Sequence, residues 1–395
     1  MKRLFIIGAS VLQLPAIKRA KELGYTVAVA DYDPHAVAIP YADTYYNVST
    51  IDEQGICEAA RAFGADGIMT LATDMPMRSV AYTCQQLGPT GISYDTAVKA
   101  TDKGEMIRAF ADADIEHPWF HILTDNADWT TIRDSVTYPC ITKPVDSSGS
   151  RGIMLVHNEE ELHQAIAYSA DNGRGGGVIV EEYMQGPEVS VEIIVYRGTP
   201  HVLQITDKLT TGAPHFVEMG HTQPSRLPYE TQEKIKDLAC RAVAAVGIEN
   251  GPAHVEIMVT ETGPKMIELG ARMGGDCITT HLVPLSTGVD MIKATMDICL
   301  NQTPDLIPKW DRGSAIRYLN TPNGTIAAID GVDSARTIPG VQEVTLTKQI
   351  GDRADNIHSS GDRVGFVIAD GATAEEAEHI CQKAVQAIRI NTTAN

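Results

Sequence analysis

The sequence predicts three units: a doubly wound α/β domain at residues 1–100, an α+β core at 101–310, and a small α+β region at 311–395. Strand and helix patterns alternate through the first unit. β-patterned runs crowd the second, and the third breaks into short strands with many Gly and Asp turns before a last helix. A chain of 395 residues is also too long for one ordinary core.

In the first unit RLFIIG reads as a strand, LPAIKRAKELG as a helix ending at Gly24, and YTVAVAD as a second strand. A helix over 52–63, the strand GADGIMTLAT and the helix MRSVAYTCQQLG follow. Strands separated by helices of this length imply right-handed crossovers and a parallel sheet covered on both faces. The core opens on the helix DKGEMIRAFADAD and continues with strands at CITKPV, GIMLVH, GVIVEEYM and VSVEIIVYRG. A helix at 158–170 interrupts them, and glycines punctuate 173–177. The helix YETQEKIKDLACRAVAAVG then leads to the paired runs HVEIMVT and PKMIELGA, and TAEEAEHICQKAVQAI is the final helix.

Composition narrows the class. The formal net charge of −19 disfavours nucleic acid and anionic membrane as partners. No apolar run reaches the roughly 18 residues of a membrane helix. The opening MKRLFIIGAS lacks the small-residue cleavage site of a signal peptide and reads as a buried strand, so a cytoplasmic protein is expected. Seven scattered cysteines, never in a C-x-x-C pair, fit neither a disulfide framework nor a zinc cluster and read as small buried hydrophobes.

The sharpest chemical feature is HVEIMVTETGPKMIELGAR, residues 254–272. A turn at Glu261-Thr262-Gly263-Pro264 would fold it into an antiparallel hairpin with Glu256 opposite Glu268, His254 opposite Gly270 and Met258 opposite Met266. Val255, Ile257, Val259, Ile267 and Leu269 would form the apolar face. Like charges directly opposed repel, so two such carboxylates must share a proton or a cation, and magnesium suits them. The competing reading is a solvated face; His254 and Arg272 on the same side favour the metal.

Two further segments suit a nucleoside triphosphate. Lys143 ends a strand before the Ser/Gly loop 146–152, which contains Ser147, Ser148, Gly149, Ser150 and Gly152. Such a loop can bring backbone N–H groups to phosphate oxygens, although it is not a Walker A loop and equally fits an ordinary hairpin. VIVEEYMQGPEVSVE, residues 178–192, offers a strand running into a linker, which can meet adenine through backbone atoms and apolar surface.

In order, TDKGEMIRAF, CITKPVDSSGSRG, VIVEEYMQGPEVSVE and HVEIMVTETGPKMIELGARMGGD resemble the ATP-grasp superfamily over residues 1–310. The style is similar to bacterial L-amino acid ligases and to the ATP-grasp halves of carbamoyl phosphate synthetase. GARMGGDCITTHLVPLSTGVDM and SGDRVGFVIADGATAEEAEH look like the amino acid ligase group. The resemblance implies an ATP-grasp core with a lid subdomain at 135–200 and an ADP-forming carboxylate–amine ligase that works through an acyl phosphate. It implies ATP and Mg²⁺ (or Mn²⁺) as cofactors, small-molecule carboxylate and amine substrates, and admits a homodimer. Lys103 and Lys143 would contact the nucleotide, loop 146–152 would close over its γ-phosphate, Glu181, Glu182 and Met184 would hold adenine, and Glu188 the ribose. Glu256 and Glu268 would ligate the metal, and Arg272 would steady the transferring phosphoryl group. Many members carry asparagine two residues after the second metal glutamate; here that position is Gly270.

The irregular segment 210–228 is the expected substrate loop, with His215, Glu218, His221 and Arg226 as candidates; Asp276, and after it His281 and Arg317, are others. Three alternatives stand beside the amino acid ligase: an ATP-grasp ligase of nucleotide or carbamoyl metabolism, a silent ATP-binding regulator, and a dinucleotide oxidoreductase. The last is disfavoured because Gly8 is not followed by the G-x-G-x-x-G spacing.

Overall fold

Strands β1 (Arg3–Ile7), β2 (Thr26–Ala30), β3 (Thr44–Tyr46) and β4 (Gly67–Met69) form a parallel sheet in the order β3-β2-β1-β4. The structure is a computed structural model and describes residues 2–124, 129–147, 151–213 and 215–393. Alternation along β1 sends its side chains to two cores. Leu4 and Ile6 pack with α1 (Leu14–Glu22) and the later helix Met291–Cys299; Phe5 and Ile7 pack with α2 (Glu53–Phe63) and α3 (Met77–Leu87). The sheet is thus covered on both faces, as its hydrophobic runs predict. Asp52 caps α2 by accepting from the Gly55 amide, and left-handed Gly64 ends it. In this unit two elements lie beyond the sequence reading: the edge strand β3, with only three residues, and α4 (Tyr94–Thr101), too short to display a clear period.

From α5 (Lys103–Asp112) the chain enters a second sheet. It contains β5 (Phe120–Leu123), β6 (Cys140–Pro144), β7 (Met154–Val156) and β8 (Val178–Glu182) in the order β5-β8-β6-β7, with the short α6 (Trp129–Ile132) and α7 (Glu159–Asp171) packed on it. Its small core includes Leu123, Cys140, Leu162, Ile166 and Val180. This sheet stops at Glu182.

The third sheet joins β9 (Glu188–Tyr196), β10 (Thr199–Thr210), β11 (Glu218–Gln223), β12 (Gly251–Thr260) and β13 (Gly263–Gly270). Its helix α8 (Tyr229–Val246) covers one face through Ile235, Leu238, Ala242 and Val246. After α9 (Val283–Thr287) and α10 (Met291–Cys299), the strand β14 (Gly313–Leu319) returns to the same sheet. β15 (Gly324–Asp330), α11 (Val332–Arg336), β16 (Val341–Leu346), β17 (Arg353–Ala354), β18 (Gly365–Gly371), α12 (Ala374–Ala387) and β19 (Arg389–Thr393) complete the chain. The full order is β13-β12-β9-β10-β11-β14-β18-β16, antiparallel throughout, while β17-β15-β19 forms a separate small sheet. Strands from beyond residue 311 therefore extend the central sheet, and β9 belongs to that sheet and not to the preceding one.

Among the described residues no helix is long and apolar enough to cross a membrane. All seven cysteines are free; five are buried, Cys240 and Cys277 half-buried. Burial pushes the Cys84, Cys140 and Cys381 thiols up to about 12, which leaves them unreactive packing groups.

Candidate active site

The hairpin β12–β13 forms, but around a tighter turn than expected, with Gly263 and Pro264 already paired to Thr260 and Val259; Glu256 lies opposite Glu268 and His254 opposite Gly270. The expected pair Met258–Met266 does not form. A bulge after Glu256 makes Ile257 face Met266 and Met258 face Lys265, so Ile267 is the extra residue. Met266 is consequently in the core and Ile267 turns into the cleft, the reverse of the predicted apolar face. The bulge is what aligns the glutamate pair: the register set at the turn would place Glu256 opposite Ile267, and the extra residue moves Glu268 into that position.

On the cleft face of the sheet, each glutamate meets a cation. Lys103 Nζ lies 2.7 Å from Glu268 and donates to the Ser147 carbonyl at 3.1 Å. Asp102 fixes that lysine at the first turn of α5 by accepting from the Gly104 and Glu105 amides, a cap worth about 1 kcal/mol. Burial opposes the charge on Lys103, but Glu268 outweighs it and the pKa is raised. Glu256 meets Lys208 at 3.0 Å and His254 Nε2 at 3.2 Å. Burial works against its ionisation, yet Lys208 and His254 hold it well below the usual carboxylate range. Lys208 also pairs with Glu188 and lies 3.6 Å from Glu218, with only 2% of its side chain exposed. Burial raises the pKa of Glu188.

Behind Glu256 is His254, whose Nδ1 lies 2.7 Å from the buried Glu192. Desolvation would lower its pKa, but Glu192 and Glu256 raise it to about 9. Arg272 donates to both oxygens of Asp74 at 2.9 and 3.0 Å, which raises its pKa against the effect of burial. This pair bears on Gly270: a Cβ there would lie 2.8 Å from Asp74 Oδ1 and 3.1 Å from Arg272 Cζ, so an asparagine would have to displace the Asp74–Arg272 pair.

The opposite wall comes from the second sheet. Lys143 on β6 and Glu181 on β8 pair at 2.6 Å, and Glu181 Oε2 is a buried acceptor without a partner among the described residues. Glu182 accepts from Lys265 at 2.8 and 2.9 Å, and Met184 and Glu188 complete the lining. The cleft so enclosed has a volume of about 470 Å³, ample for a nucleotide and a small substrate.

The other expected residues divide. Ser147 lines the cleft; Ser148, Gly149 and Ser150 lie outside the described residues. Gly152 is not on the cleft lining: its carbonyl accepts from Ser169, and a Cβ would strike Pro144 and Asn172. Glu218, His221 and Asp276 line the cleft. Asp276 is held below the usual range: burial opposes its ionisation, but His221 at 3.4 Å and Arg363 at 2.7 Å outweigh that. His215 instead stacks edge-on with His358, and Arg226 points away to Asp207 and Glu378. His281 pairs with Glu343, and Arg317 is a buried tie to the His221 carbonyl, Thr222 and Glu378. The sequence reading missed Asp74, Lys208, Glu192, Lys265 and Arg363. Each acts across an element boundary, and only the Thr-Asp before Met75 hinted at a strand-end carboxylate.

Among the described residues no group of three or more His, Cys, Asp or Glu forms a ready-made metal cage. The donor set that exists is two opposed carboxylates on an open cleft. That fits a magnesium ion, which keeps several waters and takes phosphate oxygens besides one or two carboxylates. The orphaned Glu181 oxygen fits an exocyclic amine.

Comparison with known proteins agrees with this geometry. Residues 136–280 match the ATP-grasp domain, and residues 317–393 match the L-amino acid ligase C-terminal domain 2. The chain is 26% identical over 323 residues to the alanine–anticapsin ligase of Bacillus subtilis (strain 168), covering 75% of this chain and 67% of that one. It is 28% identical over 327 residues to the phosphoribosylamine–glycine ligase of Methanobrevibacter smithii, covering 76% and 74%. The crystal structure of an L-amino acid ligase from Bacillus licheniformis superimposes with a TM-score of 0.87 at 23% identity, over 100% of this chain and 99% of that chain, and so shares the fold.

Proposed function

We infer that this chain, which carries an ATP-grasp domain followed by an L-amino acid ligase C-terminal domain, is an ADP-forming ligase that joins a carboxylate to an amine and acts on an amino acid. The observation that carries the reading is the opposed Glu256–Glu268 pair, with Lys103 and Arg272 beside it in one cleft. The amino acid part is supported by relatives named as an alanine–anticapsin ligase and, in Homo sapiens, carnosine synthase 1.

A carboxylate is a poor electrophile until one of its oxygens becomes a leaving group. Transfer of a phosphoryl group to it needs positioning and charge neutralisation more than covalent help. Glu256 and Glu268 would hold magnesium, which supplies Lewis-acid neutralisation of phosphate charge when bound. Lys103 and Arg272 add fixed positive charge in the cleft beside Glu268 and Asp74. Lys143 and Glu181 face the nucleotide, with the orphaned Glu181 oxygen accepting from the adenine amine. The substrate carboxylate then attacks the terminal phosphorus, ADP departs, and the amine displaces phosphate from the acyl carbon with loss of a proton. Glu218, His221 and Asp276 are the substrate-facing groups in this scheme. A cytoplasmic setting belongs to the same proposal, supported by seven free cysteines.

The likeness to a phosphoribosylamine–glycine ligase favours a second reading, in which the amine belongs to a sugar phosphate. An ADP-release screen over pairs of amino acids and over glycine with amino sugars separates the two. ADP that appears only with an amino acid pair supports the first. Under those conditions Glu268→Ala and Arg272→Ala fold as the parent does and form no ADP; wild-type turnover in either variant removes the site assignment.

A further inference from the structure

A second cavity of about 350 Å³ lies between the N-terminal unit and the core, and it meets the main cleft at Asp74, Lys103, Ser147, Glu268 and Arg272. Of the groups assigned to the nucleotide, Lys143, Glu181, Met184 and Glu188 line only the main cleft, while Lys103 and Ser147 stand at the junction; Arg78 lines only the smaller cavity. The two cations at the junction are already matched by carboxylates, Lys103 by Glu268 and Arg272 by Asp74. Arg78 is different. It is half-buried at the start of α3 and forms no ion pair among the described residues, in a chain with 51 acidic and 32 basic residues.

Its guanidinium is nevertheless fixed. Nε donates to Thr101 Oγ1 at 2.8 Å, and that hydroxyl donates to the Ala97 carbonyl at 2.7 Å. The one bond orients the plane and leaves both terminal nitrogens for a ligand. A fork of this kind matches a carboxylate through two parallel hydrogen bonds.

We propose that the smaller cavity binds the amine-donating amino acid and that Arg78 holds its α-carboxylate. The proposal rests on the ligase reading and names its second substrate. A ligase whose amine donor is itself a carboxylic acid must keep that acid from being phosphorylated. Anchoring it on Arg78, which does not line the main cleft, leaves the amine end of the molecule to reach the junction where Glu268 and Lys103 lie. The cavity has room for a small amino acid, and none of the groups assigned to adenine and ribose lines it.

Steady-state ADP release tests this on wild type, Arg78→Gln and Arg78→Lys, with each amine-donating amino acid compared with its carboxamide. In Arg78→Gln the KM for the free amino acid rises at least about tenfold with a smaller change in kcat. The KM values for ATP and for the acyl donor move less than twofold. Wild type prefers the free acid to its carboxamide, and the variant loses that preference. Arg78→Lys, which keeps charge without the fork, falls between them and serves if Arg78→Gln melts early. A preference retained in Arg78→Gln overturns the proposal. So does a rise in the KM for ATP that equals the rise for the amino acid, since Arg78 would then be a phosphate group's partner. If wild type itself releases no ADP with any amino acid pair, the ligase reading falls and this inference with it.

Discussion

At the residue scale the site is a set of carboxylates, each held by a particular cation, and Lys208 carries the most of that load. Its ammonium is enclosed by Glu188, Glu218 and Glu256, so removing it leaves three like charges close together in a partly desolvated place. Lys208→Met is expected to lower stability by on the order of 3 kcal/mol, measured by urea unfolding. An unchanged midpoint would mean that water or counter-ions screen the three glutamates. This residue was not legible in the sequence. It sits in β10, whose mixed pattern TPHVLQITDKLT marks no lysine as special, and its partners arrive from β9, β11 and β12. Glu256 and Glu268 were legible as two carboxylates on neighbouring strands, but their alignment depends on a bulge that offsets a turn one residue tighter than expected. Gly270 was legible as a departure but not in its cause, since Asp74 reaches it from the N-terminal unit.

At the element scale the bulge in β13 decides which neighbour is structural and which faces the cleft. Regular alternation puts Ile267 in the core and Met266 in the cleft, and the structure reverses them. Met266→Ala should therefore cost about 2–5 kcal/mol in a melt, with little effect on nucleotide affinity. Ile267→Ala should cost under about 1 kcal/mol and weaken ATP binding in calorimetry. The opposite assignment of the two effects would restore the unbulged hairpin. Alternation alone could not expose this, because an extra residue leaves composition and turn chemistry unchanged. The parallel sheet of the first unit was readable for the contrary reason: its strands are buried on both faces, and α2 carries its Asp52 cap and Gly64 stop in sequence.

At the scale of the whole molecule, the C-terminal region is tied to the site by Asp276 and Arg363. Arg363 also lies over the Tyr318 ring at 3.7 Å, so one guanidinium serves a carboxylate and an aromatic face. Because the Asp276 pKa is depressed in the fold, the unfolded chain binds its proton first as pH falls. The stabilisation is full above the unfolded value of about 4 and is lost as pH drops through the folded value. Unfolding free energies of wild type and Asp276→Asn, compared from pH 6 to 3, should show a shallower acid-side decline in the variant; parallel curves would deny the linkage. The sequence spacing gave no warning of this tie, since 87 residues separate the partners.

The continuous eight-stranded sheet has a consequence for how such a chain can be recombined with its relatives. A crossover near residue 310 would exchange three strands of that sheet and the counter-ion of a cleft-lining aspartate in a single stroke. Stability and substrate selectivity are inherited together across that junction, so hybrid enzymes that alter one without the other have to be built by exchanging loops within a parent.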